Sequence, residues 1–144
     1  MEKPFTEITF TKLVKHAETP YRATKGAAGF DLVATDYYYD ADKDYHQYGT
    51  GIAVDLPVGW EIEVRPRSSI RNTSFTLINS PGTIDSDYKK EIFVTFKTVD
   101  EREKFYYVGD RIAQLVFKKV PQIQLTEVAS IEQNGRGGFG STNR

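Results

Sequence analysis

The chain has 144 residues, 39% of them hydrophobic, which suits one domain with a hydrophobic core and excludes a chain that is disordered by composition. Its net charge of −1 and sequence pI of about 6.1 argue against broad electrostatic binding of nucleic acid or of an anionic membrane. The absence of cysteine excludes disulfides and thiolate metal sites. The first residues predict no signal peptide, and no apolar run approaches about 18 residues. We therefore expect a cytoplasmic protein (of the host cytoplasm or nucleus if it is viral), with no nucleic-acid and no membrane partner.

Hydrophobic residues recur with a period of two along most of the chain, which predicts β-strands separated by proline, glycine and aspartate turns. The alternation is clearest at 7–13, 60–66, 91–98 and 122–128, and the apolar run at 111–117 predicts a strand buried on both faces. One short helical turn is expected at 68–72, with a serine as its N-cap. The pattern predicts an all-β sandwich or barrel of about ten short strands. We expect it to span 1–132 and to be followed by a flexible glycine-rich arm at 133–144.

The first stretch that could carry chemistry is GAAGFDL at 26–32, where small residues precede Asp31 at a predicted strand start. Residues of so little volume fit a tight loop without any site, and this is the simpler interpretation. They also suit a loop that brings a carboxylate near a hydrated metal ion. Both interpretations stay open from these residues.

RPRSSI at 65–70 ends a predicted strand with Arg67, Ser68 and Ser69. A guanidinium, two hydroxyls and the first amides of a helical turn together suit a phosphate group. An N-cap beside a surface arginine is the simpler explanation when the segment is taken alone.

NSPGTIDSDYKKEIFV at 79–94 is the most informative stretch, because Pro81 and Gly82 mark a turn before Asp85, Asp87 and Tyr88. A hairpin with polar residues at its tip is the simpler interpretation. The functional one is a carboxylate general base on a rigid hairpin, beside an aromatic platform, since a base must reach a water next to an electrophile.

GDRIAQLVF at 109–117 places Gln114 inside the apolar run. A buried amide needs a hydrogen-bond partner, because leaving it unpaired costs free energy. That partner is either a neighbouring backbone group or a ligand oxygen or catalytic water.

The tail GRGGFGST at 135–142 sets Arg136, Phe139, Ser141 and Thr142 among glycines. Backbone amides of such a segment can crowd around a phosphate, and a phenylalanine can stack on a nucleobase for roughly 1–3 kcal/mol. A frayed end is the simpler interpretation of the tail alone. Together the five stretches supply a base, phosphate donors, a metal-facing acid and a stacking ring, which points to a nucleotide ligand.

In this order, the stretches resemble the five motifs of the trimeric dUTPase family: AGFDL (28–32), PRSS (66–69), NSPGTIDSDY (79–88), GDRIAQL (109–115) and RGGFGST (136–142). The resemblance runs from about residue 20 to the end, and the order and spacing of all five make it specific. It implies a jelly-roll-like β-sandwich that forms a homotrimer with active sites shared between subunits. It also implies hydrolysis of dUTP to dUMP and pyrophosphate with Mg²⁺ as cofactor, which limits uracil incorporation into DNA and supplies dUMP for dTTP synthesis.

The resemblance implies a role for each matching residue. Asp85 would activate the water that attacks the α-phosphorus, Tyr88 would pack on the deoxyribose, and Asp31 would contact Mg²⁺ through a water. Uracil would be read by the hairpin and the following strand, at Asn79, Thr83, Ile84 and Phe93, and would be stacked by Phe139 when the arm closes the active site. The phosphates would be held by Arg67, Ser68, Ser69, Gln114, Arg136, Gly140, Ser141 and Thr142.

Three positions depart from the family pattern: Ser69 replaces a glycine, Lys89 and Lys90 replace an arginine–glycine pair, and Arg136 lies closer than usual to Phe139. Two other functions stay open. A dCTP deaminase would have the same fold, although the complete arm and the sequence IDSDY favour a dUTPase. An interaction protein could use nucleotide-dependent arm closure as a switch, with segments such as 36–48 as partner surfaces.

Overall fold

The computed structural model describes residues 5–140, which form ten β-strands and one short 3₁₀ helix, so the all-β prediction is confirmed. The strands are β1 (Thr9–Lys12), β2 (Phe30–Val33), β3 (Asp36–Asp40), β4 (Tyr45–Gly49), β5 (Ile52–Asp55), β6 (Trp60–Arg65), β7 (Phe75–Leu77), β8 (Gly82–Ile84), β9 (Phe93–Thr98) and β10 (Arg111–Lys119). The 3₁₀ helix is Ser68–Asn72. Within the described range, no helix has the length and apolar character needed to cross a membrane.

Two four-stranded antiparallel sheets carry the fold, in the orders β2-β10-β6-β8 and β3-β4-β9-β7, and β1 pairs with β5 beside them. Both sheets contribute to one hydrophobic cluster. Its fully enclosed side chains include Tyr48 and Phe96 from one sheet and Leu32, Ile62 and Leu115 from the other. The core therefore lies between the sheets, as in a jelly-roll-like sandwich.

The alternation read from the sequence matches the burial of the strands. In β9, Val94 and Phe96 are buried while Phe93 and Lys97 are exposed. The apolar run becomes β10, which pairs with β2 on one edge and with β6 on the other. A strand in this central position needs apolar residues on both faces, and Ile112 and Ala113 are both fully buried.

Two predicted local features are wrong. Residues 122–128 form no strand in the described chain and are all exposed, because they pair with no other described segment and a strand needs a partner for its backbone groups. The 3₁₀ helix has no serine N-cap: Arg67 holds that position in extended backbone, and no side chain caps the helix. Ser69 instead shares a hydrogen bond of 2.9 Å with the hydroxyl of Tyr106.

Candidate active site

A cavity of about 340 Å³ opens between the β8 segment and β9. Four predicted uracil contacts line it together: Asn79, Thr83, Ile84 and Phe93. Its floor comes from Val64, Leu77 and Val94, which belong to the core cluster. The wall is thus a short polar edge strand on an apolar base, a common construction for a pocket that holds a flat, partly polar ring. The predicted hairpin is wrong, because β8 pairs with β6 and with neither β7 nor β9.

The β8 wall keeps its place through its register with β6, where Ile62 pairs with Ile84 and Val64 pairs with Gly82. Only one side of β8 is paired, since it is the edge strand of its sheet. Its outer backbone groups therefore remain available to a ligand, in the manner of an unpaired sheet edge.

Asp85 and Tyr88 lie together in the turn that follows β8. The backbone N–H of Tyr88 donates to the carbonyl of Asp85 at 3.0 Å, and the Tyr88 hydroxyl donates to the carbonyl of Glu91. The carboxylate of Glu91 in turn accepts backbone N–H groups from Thr50 and Gly51, at 3.2 and 3.1 Å. The turn is therefore tied to the β4–β5 connection, and the exposed carboxylate of Asp85 stands on a fixed support.

The two lysines that depart from the family pattern fit this turn. Lys89 donates to the Asp55 carboxylate at 2.7 Å and to the carbonyl of Leu56 at 3.0 Å. Lys90 does not adopt a positive φ, so its side chain causes no backbone strain. The turn is thus compatible with a side chain where family members carry glycine.

A second group of predicted residues lies across β2, β10 and β6. The register places Gln114 of β10 opposite Asp31 of β2 on one side and opposite Arg65 of β6 on the other. The Gln114 side-chain amide donates to the carbonyl of Pro66 at 3.0 Å. A Cβ at position 29 would come within 2.2 Å of Gln114 Oε1, so Gly29 is the residue that leaves room for the glutamine.

Arg67 connects this group. Its Nε donates to Asp31 Oδ1 at 3.1 Å, and its Nη1 donates to the carbonyl of Arg111 and to Ser69 Oγ, at 3.3 and 3.4 Å. Its Nη2 has no hydrogen-bond partner among residues 5–140, so two N–H donors remain for an anion. The ion pair is partly buried, with 28% and 10% of the Arg67 and Asp31 side chains exposed, and is therefore weakly screened by solvent.

Sequence reasoning missed Tyr106, which is only 7% exposed and whose hydroxyl shares a hydrogen bond with Ser69. Burial raises the pKa of Tyr106, so the hydroxyl stays protonated near neutral pH. Its backbone carbonyl accepts a hydrogen bond of 2.7 Å from the buried hydroxyl of Tyr48. The only signal in the sequence was a run of three aromatic residues, at 105–107, shortly before the GDRIAQL stretch.

The remaining predicted residues lie apart from these groups. Ser68 is exposed, at the start of the 3₁₀ helix. Residues 121–140 are all exposed and contain no strand, and Phe139 makes no buried contact. Arg136 hydrogen-bonds only within its own segment, to Asn134 and Gly137. Gly140 follows Phe139 with a φ of +75°, whereas Ser141 and Thr142 lie outside the described residues.

Residues 5–140 contain no group of three or more histidine, aspartate or glutamate side chains that could hold a metal ion by themselves. Near Arg67, the hard oxygen donors are the Asp31 carboxylate and the Gln114 amide oxygen. Such a set suits an ion that keeps its waters and is held mainly by ligand phosphates, as Mg²⁺ commonly is.

Comparison with known proteins gives one consistent result. The model of the dUTPase family matches residues 15–143. A deoxyuridine 5'-triphosphate nucleotidohydrolase of Helicobacter hepaticus is 41% identical over 138 residues, which cover 94% of this chain and 87% of the relative. The protein of the same name from Corynebacterium glutamicum is 40% identical over 141 residues, with 95% of each chain covered.

Two solved structures are similar in fold. A variant of the Staphylococcus bacteriophage 80alpha dUTPase with dUpNHpp superimposes with a TM-score of 0.75, at 22% identity over 96% of this chain and 99% of that chain. A variant of the dUTPase from phage phi11 of S. aureus, described with a structural Mg(II) ion, gives a TM-score of 0.73 at 19% identity. It covers 89% of this chain and 100% of that chain.

Proposed function

The chain belongs to the dUTPase family, and we propose that it hydrolyses dUTP to dUMP and pyrophosphate by attack of an Asp85-activated water on the α-phosphorus. The observation that carries this proposal is the cavity beside β8, which gathers Asn79, Thr83, Ile84 and Phe93 next to the turn that bears Asp85 and Tyr88.

Uracil enters this cavity in the proposal. Backbone groups of the β8 edge read its polar edge, and the wall that includes Ile84 and Phe93 excludes a 5-methyl group. Tyr88, held by its hydroxyl to the carbonyl of Glu91, presents its ring to the deoxyribose and leaves no room for a 2′-hydroxyl. The enzyme thereby discriminates against both dTTP and UTP.

Asp85 acts as the general base. It takes a proton from water as the water oxygen bonds to the α-phosphorus, and the bond from that phosphorus to the bridging oxygen breaks. Pyrophosphate leaves and dUMP remains. A positioned base of this kind contributes roughly 10²–10⁴ in rate, and the anchored turn keeps its carboxylate in place.

Arg67, Ser68 and Ser69 hold the α- and β-phosphates. The free Nη2 of Arg67 supplies charge-assisted donors, while Asp31 and Ser69 fix the orientation of the guanidinium. Gln114 contacts a phosphate or the attacking water. These groups are in place before the substrate arrives, which favours electrostatic stabilisation of the charge that develops during attack.

Mg²⁺ is the cofactor in this proposal, with Asp31 contacting it through a water and the triphosphate supplying the direct ligands. When bound, the ion neutralises phosphate charge and favours departure of pyrophosphate. The residues near Arg67 fit this role because they offer few protein ligands and leave the ion largely hydrated.

A homotrimer completes the site. The exposed segment from 133 onward serves as an arm: Phe139 stacks on uracil, while Arg136, Gly140, Ser141 and Thr142 hold the γ-phosphate. The ring of Phe139 is fully exposed in the single chain. This exposure is explained if the ring stacks on a ligand in the site of a neighbouring subunit. The glycines let the arm open and close, and substrate binding offsets the entropy lost on closure.

In the cell, this reaction lowers the dUTP pool, which limits uracil incorporation into DNA, and supplies dUMP for dTTP synthesis. The same reaction thus removes dUTP, an unwanted precursor of DNA, and forms dUMP, a useful one.

The experiment measures pyrophosphate release with Mg²⁺ from dUTP, dTTP, dCTP and UTP, in the native enzyme and in Asp85→Asn. We expect turnover of dUTP alone and a loss of roughly 10²–10⁴ in kcat for the variant. Asp87→Asn is the matched control, because it removes a carboxylate from the same turn and should retain activity. Full activity in Asp85→Asn would remove Asp85 as the base, and ammonia release from dCTP would identify a deaminase instead.

A further inference from the structure

A second cavity, of about 640 Å³, lies on the sheet β3-β4-β9-β7 and shares no lining residue with the candidate active-site cavity. Aromatic rings form one part of its lining and carboxylates the other. The lining residues are Tyr37, Tyr39, His46, Phe105, Thr98, Asp44, Asp100, Glu101 and Glu103. None of them is a lysine or an arginine.

The rings form a compact cluster around His46. Its ring centroid lies 4.7 Å from that of Tyr39 and 4.7 Å from that of Phe105, with Tyr37 at 6.0 Å. The negative faces of such rings attract a cation placed between them, most strongly where water is excluded.

The carboxylates of the cavity differ in whether they form ion pairs. Asp100 is paired with Arg102 at 2.8 Å, which holds the pKa of Asp100 well below its usual range. Asp44 accepts the Tyr39 hydroxyl at 2.7 Å and forms no ion pair within the described chain. Glu101 and Glu103 are exposed and likewise form no ion pair with any residue in 5–140. The cavity therefore carries an excess of negative charge that the protein itself does not neutralise.

His46 gives an independent indication of a ligand. The residue is only 4% exposed, and its Nδ1 lies 2.8 Å from the Tyr37 hydroxyl. Its Nε2 has no hydrogen-bond partner among residues 5–140. No fully enclosed side-chain nitrogen or oxygen is left unpartnered there, so Nε2 retains some exposure, and His46 lines the cavity. Burial lowers the pKa of His46, so the ring is neutral near pH 7 and one of its nitrogens can accept a hydrogen bond.

We propose that this cavity binds the alkylammonium group of an organic amine, with the ammonium against the rings of Tyr39 and Phe105 that line the cavity, one N–H donated to His46 Nε2, and Glu101 and Glu103 supplying the opposite charge. This arrangement requires the tautomer in which Nδ1–H donates to the Tyr37 hydroxyl. It also requires a cation that has an N–H group. The amine is either a free polyamine or the side chain of a lysine in a peptide, since both present the same group.

The experiment titrates the full-length protein with butylammonium, tetramethylammonium, spermidine and a trilysine peptide at constant ionic strength, and follows the ring signals of His46 by NMR. We expect saturable shifts with butylammonium, weaker binding of tetramethylammonium, and a proton on His46 Nδ1 in the bound state. Tighter binding of spermidine than of trilysine identifies a free polyamine as the source, and the reverse order identifies a peptide lysine. The absence of saturable shifts with every amine, or a bound state with its proton on Nε2, would overturn the proposal.

Two variants and one control separate a built site from general charge attraction. Tyr39→Leu should weaken butylammonium binding about threefold to tenfold by removing one ring face. The double variant Glu101→Gln, Glu103→Gln should weaken it further. Asp42→Asn removes an exposed charge from the same hairpin without lining the cavity and should bind as the native protein does. If Asp42→Asn and the double variant weaken butylammonium binding equally, the carboxylates act only by general charge attraction. That result would contradict the proposed site.

Discussion

Arg67 shows how neighbouring groups fix the orientation of one side chain. Asp31 balances its charge in a partly buried pair, and Ser69 and the Arg111 carbonyl fix the plane of the guanidinium. An ordered guanidinium loses less entropy when it binds phosphate. The PRSS stretch predicts the arginine and serines, but their partner Tyr106 is distant in sequence and carries no motif of its own.

Tyr106→Phe tests the importance of this ordering. The change removes only the hydroxyl that holds Ser69, while the buried ring is retained. We expect KM for dUTP to rise about fivefold, which corresponds to the loss of one hydrogen bond of about 1 kcal/mol. Tyr107→Phe is the control, because Tyr107 is exposed and its side chain makes no hydrogen bond in the described chain. Equal kinetics for the two variants would argue against a positioning role for Tyr106.

At the scale of elements, the turn after β8 depends on a support that comes from another part of the chain. Glu91 binds the backbone of Thr50 and Gly51, and Gly51 adopts a φ of +66°. The sequence predicts the turn at Pro81, because turn chemistry is local. It does not predict that β8 pairs with β6 rather than in a hairpin with a neighbouring strand. It does not predict the tie to the β4–β5 connection, since that contact joins residues about forty positions apart.

Glu91→Ala should lower the free energy of unfolding by about 1–3 kcal/mol, because it leaves the buried N–H of Thr50 without its acceptor. Denaturant unfolding measures this change. Glu91→Gln retains one acceptor oxygen and should lose less, while Glu18→Ala, at an exposed position without side-chain hydrogen bonds in the described residues, should be neutral. A neutral result for Glu91→Ala would contradict the support assigned to this carboxylate.

For the whole molecule, the period-two pattern predicts an all-β fold and the apolar run predicts the central position of β10. The pairing of strands is not predictable in the same way, because β2, β6 and β10 meet through contacts between distant residues. The same limit explains the error at 122–128, where the pattern of a strand is present but no segment of the described chain pairs with it. His46 also looks isolated in the sequence and becomes buried only when β4 lies between β3 and β9.

Phe139→Ala tests whether the exposed arm contributes to dUTP binding in the assembled molecule. We expect a higher KM for dUTP, with a loss of roughly 1–3 kcal/mol of stacking, and no change in thermal stability because the ring is unburied in the single chain. Val128→Ala, in the exposed segment before the arm, is the control. Unchanged steady-state kinetics in Phe139→Ala would leave the arm without a role in uracil binding.

His46 makes the stability of the whole molecule depend on pH. Burial lowers the pKa of His46 and outweighs Asp44, which acts in the opposite direction. The folded state therefore binds fewer protons than the unfolded chain once the pH falls below about 6.5. The contribution of neutral His46 to the free energy of unfolding should be fully present above that pH. It should be lost as the pH falls through the lowered folded-state pKa of His46.

The measurement is the free energy of unfolding between about pH 5 and pH 8, in the native protein and in His46→Phe. The variant keeps an aromatic ring and should lose this dependence. Asp100 and Glu63, whose pKa values are lowered by Arg102 and Arg65, act at more acidic pH and remain in both proteins. The same slope in both would show that another group titrates in this range.

The position of β10 between β2 and β6 also determines how much of the chain must be synthesised before the protein can fold and become active. β10 ends at Lys119, so the sheet that aligns Asp31 with Gln114 cannot close until most of the chain has left the ribosome. Strands that pair over such distances form slowly, because the chain loses entropy before the pairing is gained. A nascent or truncated product that lacks β10 therefore has neither a finished core nor an ordered Arg67, and we expect activity only from chains that include β10.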